Sequence, residues 1–398
     1  MKILFIIIDG LGDQPIKELG NKTPLEAART PNLDFLAKNG ICGLIESFRF
    51  PKEKVPTSEG SHIGLFGYQN YFLGRGPYEA AGIGMKMKQG DVALRVNFGT
   101  VNNTFKVIDR RAGRIKKTQS LVRDLKGIEI NGIKFLIKES YGHRAGLILR
   151  GKNLSAKISD GDPHKTGIKV KKIIPLDKSS EALFTARVLD KFLKKSHQIL
   201  KNHPLNKKRK REGKLSANYL LVRGAGKFRP NPSFKERYGL KSCCVAAGAL
   251  YKGIAKILGM DLIKVKGATG FANTNILGKF RASKKALKKY NFVFCHIKAT
   301  DTFSHDGDYL GKKKFIEKID KKLPLLFELK NTLIVITADH STPCKLKDHS
   351  RDPLPVLVYG RGSDNVEKFS EKECSKGKLG KIKSIDFFKK VIRIKKGN

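Results

Sequence analysis

The sequence predicts an α/β fold, a mainly parallel sheet flanked by helices, with a smaller α+β domain inserted into it. Three observations carry this expectation. Apolar runs at Ile3 to Ile8, Phe292 to Ile297, Thr332 to Thr337 and Leu354 to Tyr359 have the length and β-branched content of buried parallel strands, and polar or turn residues bound each one. Helical patterns alternate with these runs. Between the first run and the rest, from about Met87 to Pro230, the chain turns to short alternating segments that suit antiparallel hairpins.

Taken in order, Ile3 to Ile8 ends in Asp9-Gly10. Thr30-Pro31 then opens a helix as N-cap and first helical residue, Leu33, Leu36 and Ala37 form its inner face, and Asn39-Gly40 stops it. Pro56-Thr57-Ser58-Glu59-Gly60-Ser61-His62 reads as a turn opening another helix. In the middle third, Val92 to Val96, Ile133 to Ile137 and Leu147 to Leu149 read as strands, and Ser180 to Leu200 as a helix. Arg229-Pro230-Asn231-Pro232 is a return hinge. A further helix is expected from about Ser242 to Leu258, with Ala247, Leu250, Ile254 and Leu258 inward and Gly259 as its stop. The expected domains are residues 1–86 with 231–398, and an insertion at 87–230.

Composition limits the classes of function. The chain has 398 residues, with 81 Lys and Arg against 36 Asp and Glu, a formal charge of +45. Hydrophobic residues make up 40% of it, too much for a disordered polycation. The lysines are dispersed. Only Lys207-Lys208-Arg209-Lys210-Arg211 is a dense block, and without interleaved aromatic residues it reads as a solvated helix end or loop, so no specific nucleic-acid partner is expected. Six cysteines, Cys42, Cys243, Cys244, Cys295, Cys344 and Cys374, form no CxxC pair, the pattern of a reducing compartment. The apolar stretch after Met1-Lys2 is too short for a secretory core, and no run reaches membrane-spanning length. A soluble cytoplasmic protein without a membrane partner is expected.

The chemistry lies where strands end. Asp9 follows the first run. Asp301 and His305 follow the second, Asp339-His340 the third, and His349 stands before the fourth. Loops converge over the carboxyl ends of parallel strands, so these residues are expected on one rim. Singly, each is ordinary, an Asx turn or a surface histidine. Together they offer mixed oxygen and imidazole ligands suited to Mn2+ or Zn2+, and the absence of thiolates argues against a structural zinc site. A hydroxyl at Ser58 or Ser61, at the start of a helix, is either an ordinary N-cap or a nucleophile steadied by backbone amides and the helix dipole.

Several ordered motifs go further: Ile8-Asp9-Gly10-Leu11-Gly12-Asp13, Thr23-Pro24-Leu25-Glu26-Ala27-Ala28, Ser58 through Tyr68, Gly74-Arg75-Gly76-Pro77, Asp109-Arg110-Arg111-Ala112-Gly113-Arg114, Asp160-Gly161-Asp162-Pro163-His164-Lys165, Leu221-Val222-Arg223-Gly224-Ala225-Gly226, His296-Ile297-Lys298-Ala299-Thr300-Asp301 and Thr337-Ala338-Asp339-His340-Ser341-Thr342. Through them the chain resembles, along nearly its full length, the archaeal-type cofactor-independent phosphoglycerate mutases of the alkaline phosphatase superfamily.

The resemblance implies an alkaline-phosphatase-like core and interconversion of 3- and 2-phosphoglycerate, a step of glycolysis and gluconeogenesis, through a phosphoserine and without 2,3-bisphosphoglycerate. It implies two divalent ions, Mn2+ ahead of Co2+, Zn2+ or Mg2+. One would be held by Asp301, His305 and His349, the other by Asp9, Ser58, Asp339 and His340, with Ser58 as nucleophile and His62 as a support for its turn. The implied substrate is a small phosphorylated anion, with Asp109, Arg110, Arg111, Arg144, Arg223 and Lys252 as its binding residues. Departures from the family pattern are Glu59-Gly60 after the nucleophile, Ser304 before His305, and Asn273 and Asn275 in place of acids. The alternatives are a phosphatase or phosphotransferase of the same superfamily acting on another small alcohol, and a basic nucleic-acid-binding protein on a decayed scaffold. Against the latter, all seven implied ligands are present.

Overall fold

A computed structural model of the chain describes residues 1–51 and 53–397. They form two compact units, Met1–Phe72 together with the chain from Pro232 onward, and Leu73–Asn231.

The first unit is built on an eight-stranded sheet in the order Asp261–Leu262, Ser242–Val245, Phe292–Ile297, Lys2–Ile8, Thr332–Thr337, Leu354–Tyr359, Gly40–Glu46, Gly380–Lys383. Ile3 to Ile8 are fully buried in its centre, each side chain contributing about 1.5–3 kcal/mol relative to exposure. Most neighbours are parallel. Leu354–Tyr359 corrects the expectation of a parallel strand, since it pairs antiparallel with both Thr332–Thr337 and Gly40–Glu46. The loop from residue 338 to 353 contains no crossover helix, and a return without one makes adjacent strands antiparallel. The helix expected from Ser242 starts late. Ser242–Val245 is a buried strand beside Phe292–Ile297, and the helix runs over Ala249–Ile257. A strand there buries Cys243, Cys244 and Val245 between two parallel neighbours.

The second unit carries a six-stranded sheet in which Val92–Val101 pairs antiparallel with Val107–Asp109, Arg144–Arg150 and Tyr219–Lys227. Ile133–Glu139 and Glu129–Ile130 extend it. The long helix Ser180–Asn202 packs its apolar face into this unit's core, where Phe192 stacks on Phe135 with ring centroids 4.2 Å apart. The unit starts at Leu73 rather than at the expected residue 87 because the helix Arg75–Gly82 packs on the Val92–Val101 sheet. Gly76 lies so close that a Cβ there would sit 2.0 Å from the Ala93 carbonyl oxygen. The Lys207 to Arg211 block forms the end of the helix Pro204–Arg211. All six cysteines are free and buried. Among the described residues, no helix is long and apolar enough to cross a membrane.

Candidate active site

Strand register assembles the site. Ile8 pairs with Ile297, so Asp9 and Lys298 are the next residues on adjacent strands. Ile7 pairs with Thr337, which puts Asp9 level with Asp339. Gly10 then turns the chain sharply with φ +64°, and a Cβ there would meet Thr342 Oγ1 at 2.6 Å and Asp301 Cα at 2.9 Å. Its amide donates to Asp339 Oδ1 over 3.1 Å. Only glycine fits this crossing point of three loops.

Two groups of ligand-type atoms result, Asp301 with His305 and His349, and Asp9 with Asp339 and His340. Within each group the candidate atoms lie within 4.8 Å of one another. His305 Nε2 and His349 Nε2 are 3.3 and 3.5 Å from Asp301 Oδ1, while His340 Nε2 is 3.2 Å from Asp339 Oδ2 and 3.6 Å from Asp9 Oδ1. The His340 ring stacks on that of His349 at 3.6 Å and joins the groups.

Hydrogen bonding fixes the tautomers. His305 Nδ1 donates to the Lys347 carbonyl over 2.8 Å and His349 Nδ1 to that of Pro56 over 2.7 Å. Thr342 Oγ1 donates to Asp301 Oδ1, leaving its lone pair to accept from His340 Nδ1 at 3.0 Å. His340 therefore presents a bare Nε2 lone pair toward the Asp339 and Asp9 carboxylates, acceptors facing one another, whereas the hydrogen bond to Asp301 pushes His305 up to about 9. Asp9 Oδ1 and Asp339 Oδ2 are buried without a hydrogen-bond partner. Orphaned carboxylate oxygens opposite a bare imidazole nitrogen fit a divalent cation in this group, and the donors of both groups are nitrogen or oxygen.

The charges agree with this arrangement. Burial, reinforced by the Asp9 and Asp301 carboxylates, pushes Asp339 well above the usual carboxylate range. Burial also pushes Asp9 and Asp301 upward, but the Lys298 ammonium, helped by neighbouring histidines, outweighs it and holds both below that range. Burial and the His349 ring hold His340 well below the usual imidazole value, so it is neutral.

Ser58 is the first residue of the helix Ser58–Leu65, all of which is buried. The N-cap is Thr57, whose Oγ1 accepts from the Gly60 amide at 3.2 Å. The Ser58 hydroxyl therefore does no capping at this turn and stands 3.3 Å from His340 Nε2. Ser61 Oγ instead donates to the Phe48 carbonyl. His62 Nδ1 donates to the Ser58 carbonyl over 2.7 Å and braces the first turn. At the other end of the helix, Phe66 packs its ring against Phe5, Phe234, Phe292 and Phe294 and anchors it to the sheet.

The residues 1–389 match the family model of the Metalloenzyme superfamily. The chain is 46% identical over 391 residues to 2,3-bisphosphoglycerate-independent phosphoglycerate mutase 1 of Methanocaldococcus jannaschii, covering 96% of this chain and 94% of that protein. It is likewise 46% identical over 397 residues to the Archaeoglobus fulgidus protein of the same name, covering 97% and 96%. The chain belongs to the cofactor-independent phosphoglycerate mutase family within the Metalloenzyme superfamily. Among solved structures, a cofactor-independent phosphoglycerate mutase from Thermoplasma acidophilum superposes with a TM-score of 0.72 at 35% identity, covering 99% of this chain and 100% of that one. A protein from Pyrococcus horikoshii superposes with a TM-score of 0.84 at 34% identity, covering 100% and 98%. As in its family, this chain is an enzyme of the phosphoglycerate mutase class.

The second unit holds a separate cluster of cations. Glu79 accepts from Arg75 Nε at 3.3 Å and pairs with Arg95 Nη1 at 3.2 Å. Burial would raise its carboxyl, but Arg95, Arg75, Arg144 and Arg223 together hold it below its usual range. Burial, with the neighbouring guanidinium groups, pulls Arg95 well down and Arg223 to about 10. The Nε atoms of both are buried without a partner. Counting the Asp162 carboxylate and the Arg110 guanidinium that also act on Arg223, two carboxylates against five guanidinium groups leave a positive excess that suits a small anion.

The expected substrate residues are thus only partly gathered. Arg144 and Arg223 belong to this cluster. Arg110 is held bidentately by Asp162 at 2.9 and 2.6 Å, and Asp109 Oδ1 accepts from the Arg111 and Gly113 amides, shaping their turn. The Arg111 charge acts on His143, beside Arg144. Lys252 is in the other unit, on the helix Ala249–Ile257. Sequence reasoning missed Arg75, Glu79 and Arg95. Gly74-Arg75-Gly76-Pro77 pointed at the first, whereas Arg95 stands among apolar Val92, Ala93, Leu94 and Val96, itself the signal of a buried charge with a purpose. It also assigned no role to Lys298, Tyr251 or His296, which surround Asp9.

Proposed function

We propose that this chain interconverts 3-phosphoglycerate and 2-phosphoglycerate by way of a phosphoserine at Ser58, without 2,3-bisphosphoglycerate. The observation that carries this reading is the buried, non-capping Ser58 hydroxyl at a helix N-terminus, 3.3 Å from His340 of the Asp9, Asp339 and His340 group. Asp301, His305 and His349 would hold one divalent ion, and Asp9, Asp339, His340 and Ser58 the other, with Mn2+ as the proposed metal. When bound, such a pair neutralises phosphoryl charge and aligns attacking and departing oxygens.

The protein supplies the rest. The helix N-terminus favours negative charge developing on Ser58 Oγ. Its bond to phosphorus forms as the ester bond to the glycerate oxygen breaks, and the serine proton ends on that oxygen. The transfer back uses the other glycerate hydroxyl and returns the proton. The Arg75, Arg95, Arg144 and Arg223 cluster of the Leu73–Asn231 unit would bind the glycerate anion.

The test is acid quenching during turnover, followed by mass spectrometry of the peptide containing Ser58. One phosphoryl group on Ser58 is expected. Steady turnover with no phosphorylated Ser58 at any quench time would contradict the proposal.

A further inference from the structure

Lys298 links a carboxylate of one ligand group to a carboxylate of the other. Its Nζ lies 3.2 Å from Asp9 Oδ2, in one group, and 2.8 Å from Asp301 Oδ2, in the other. The third neighbour is Tyr251 Oη at 3.1 Å, whose own proton goes to Asp9 Oδ2. An ammonium has three protons, and here all three have acceptors. The side chain is 30% exposed while Asp9 and Asp301 are 0% and 6% exposed, so it enters from the rim and ends among buried carboxylates. The register already described makes this unavoidable, because Lys298 follows Ile297 as Asp9 follows Ile8.

We propose that Lys298 is the resident counter-ion of this site, holding Asp9 and Asp301 in place in the metal-free chain and yielding them to divalent cations, so that metal loading is an exchange. The proposal rests on the two-metal reading above. Asp9, Asp301 and Asp339 converge in a buried space, and without a cation their mutual repulsion would drive the loops after three strands apart. One ammonium linking two of them relieves most of that repulsion. The histidines of the two groups face Oδ1 of each carboxylate and the ammonium Oδ2, so a divalent ion on either carboxylate would lie close to the ammonium, and their repulsion in a poorly screened site weakens the binding of both. Binding of the metal and binding of the ammonium are therefore linked with opposite sign. Lys298 is a positioning residue in this account, acting through the carboxylates.

The test uses the full chain stripped of metal by a chelator and dialysed. Calorimetric titration with Mn2+ should show Lys298→Met binding its first ion roughly tenfold or more tightly than the unsubstituted chain, because the competitor is gone. The same variant without metal should melt at lower temperature and gain more from added Mn2+. Equal or weaker Mn2+ affinity in Lys298→Met would overturn the proposal.

A second measurement needs no variant and decides the matter if Lys298→Met does not fold. Acetic anhydride labelling of the unsubstituted chain, mapped by peptide mass spectrometry, should find Lys298 protected without metal and labelled after Mn2+ loading. Protection unchanged by loading would overturn the exchange. Neither readout involves phosphoglycerate, so a chain that exchanges Lys298 for metal yet lacks mutase activity would defeat only the functional reading. A chain with mutase activity but no exchange would defeat only this one.

Discussion

Ser58 Oγ and His340 Nε2 stand 3.3 Å apart although 282 residues separate them in sequence. The contact exists because Thr57, not Ser58, caps the helix, so the adjacent hydroxyls have different work. Ser58→Ala should reduce turnover by roughly 10³-fold or more while leaving the melting temperature nearly unchanged. Thr57→Ala should do the reverse, costing about 1 kcal/mol of stability and sparing most activity. Paired turnover and denaturant-midpoint measurements separate them, and equal activity losses would refute this division.

The two histidine groups should respond separately to substitution. His305→Ala and His340→Ala should each lower metal content after dialysis from about two ions per chain to about one. Loss of His340 should mainly impair phosphorylation of Ser58, its neighbour. Elemental analysis alongside quenched phosphoserine measurement checks both. Two ions retained by both variants, with unchanged turnover, would show these histidines to be structural.

The arginine cluster makes a different prediction. Arg223→Ala should raise KM for phosphoglycerate by on the order of tenfold, leave metal content unchanged and weaken competitive inhibition by small dianions. An unchanged KM would remove the cluster around Glu79 from the substrate site.

Beneath the ligand loops, Lys312 and Asp13 form an ion pair at 2.8 Å with both side chains fully buried. The same ammonium donates to the carbonyls of Gly12 and Thr342, tying the loop after Asp9 to the loop after His340. Asp13 also accepts from the Cys344 amide. Lys312→Met strands a buried carboxylate and should cost about 3 kcal/mol. Urea unfolding with an unchanged m-value checks this, and a loss under about 1 kcal/mol would contradict it.

Sequence patterns exposed the parallel centre of the sheet and the ligand-type residues at its rim for one reason. Strand ends in such sheets converge whatever the details, so Asp9, Asp301, His305, Asp339, His340 and His349 could be placed together before any coordinates. What they could not show was set by register and by the third dimension. Lys298 is one lysine among many in a +45 chain, and only the Ile8 to Ile297 pairing reveals that it faces Asp9. Arg95 hides in a buried strand, where period-two reasoning expects an apolar residue. Leu354–Tyr359 has the composition of its parallel neighbours, and its direction depends on a loop whose path carries no local signal. Ser242–Val245 was absorbed into a helix because its small and β-branched residues continue the apolar spacing of the real helix after it.

The most direct measurement of the central claim is conversion of 3-phosphoglycerate by the purified chain with Mn2+ and no 2,3-bisphosphoglycerate, following 2-phosphoglycerate and inorganic phosphate together. The account predicts 2-phosphoglycerate rising toward equilibrium with no comparable release of phosphate. Phosphate appearing as fast as substrate disappears would make the chain a phosphatase, and no product with Mn2+, Co2+, Zn2+ or Mg2+ would contradict the mutase assignment outright.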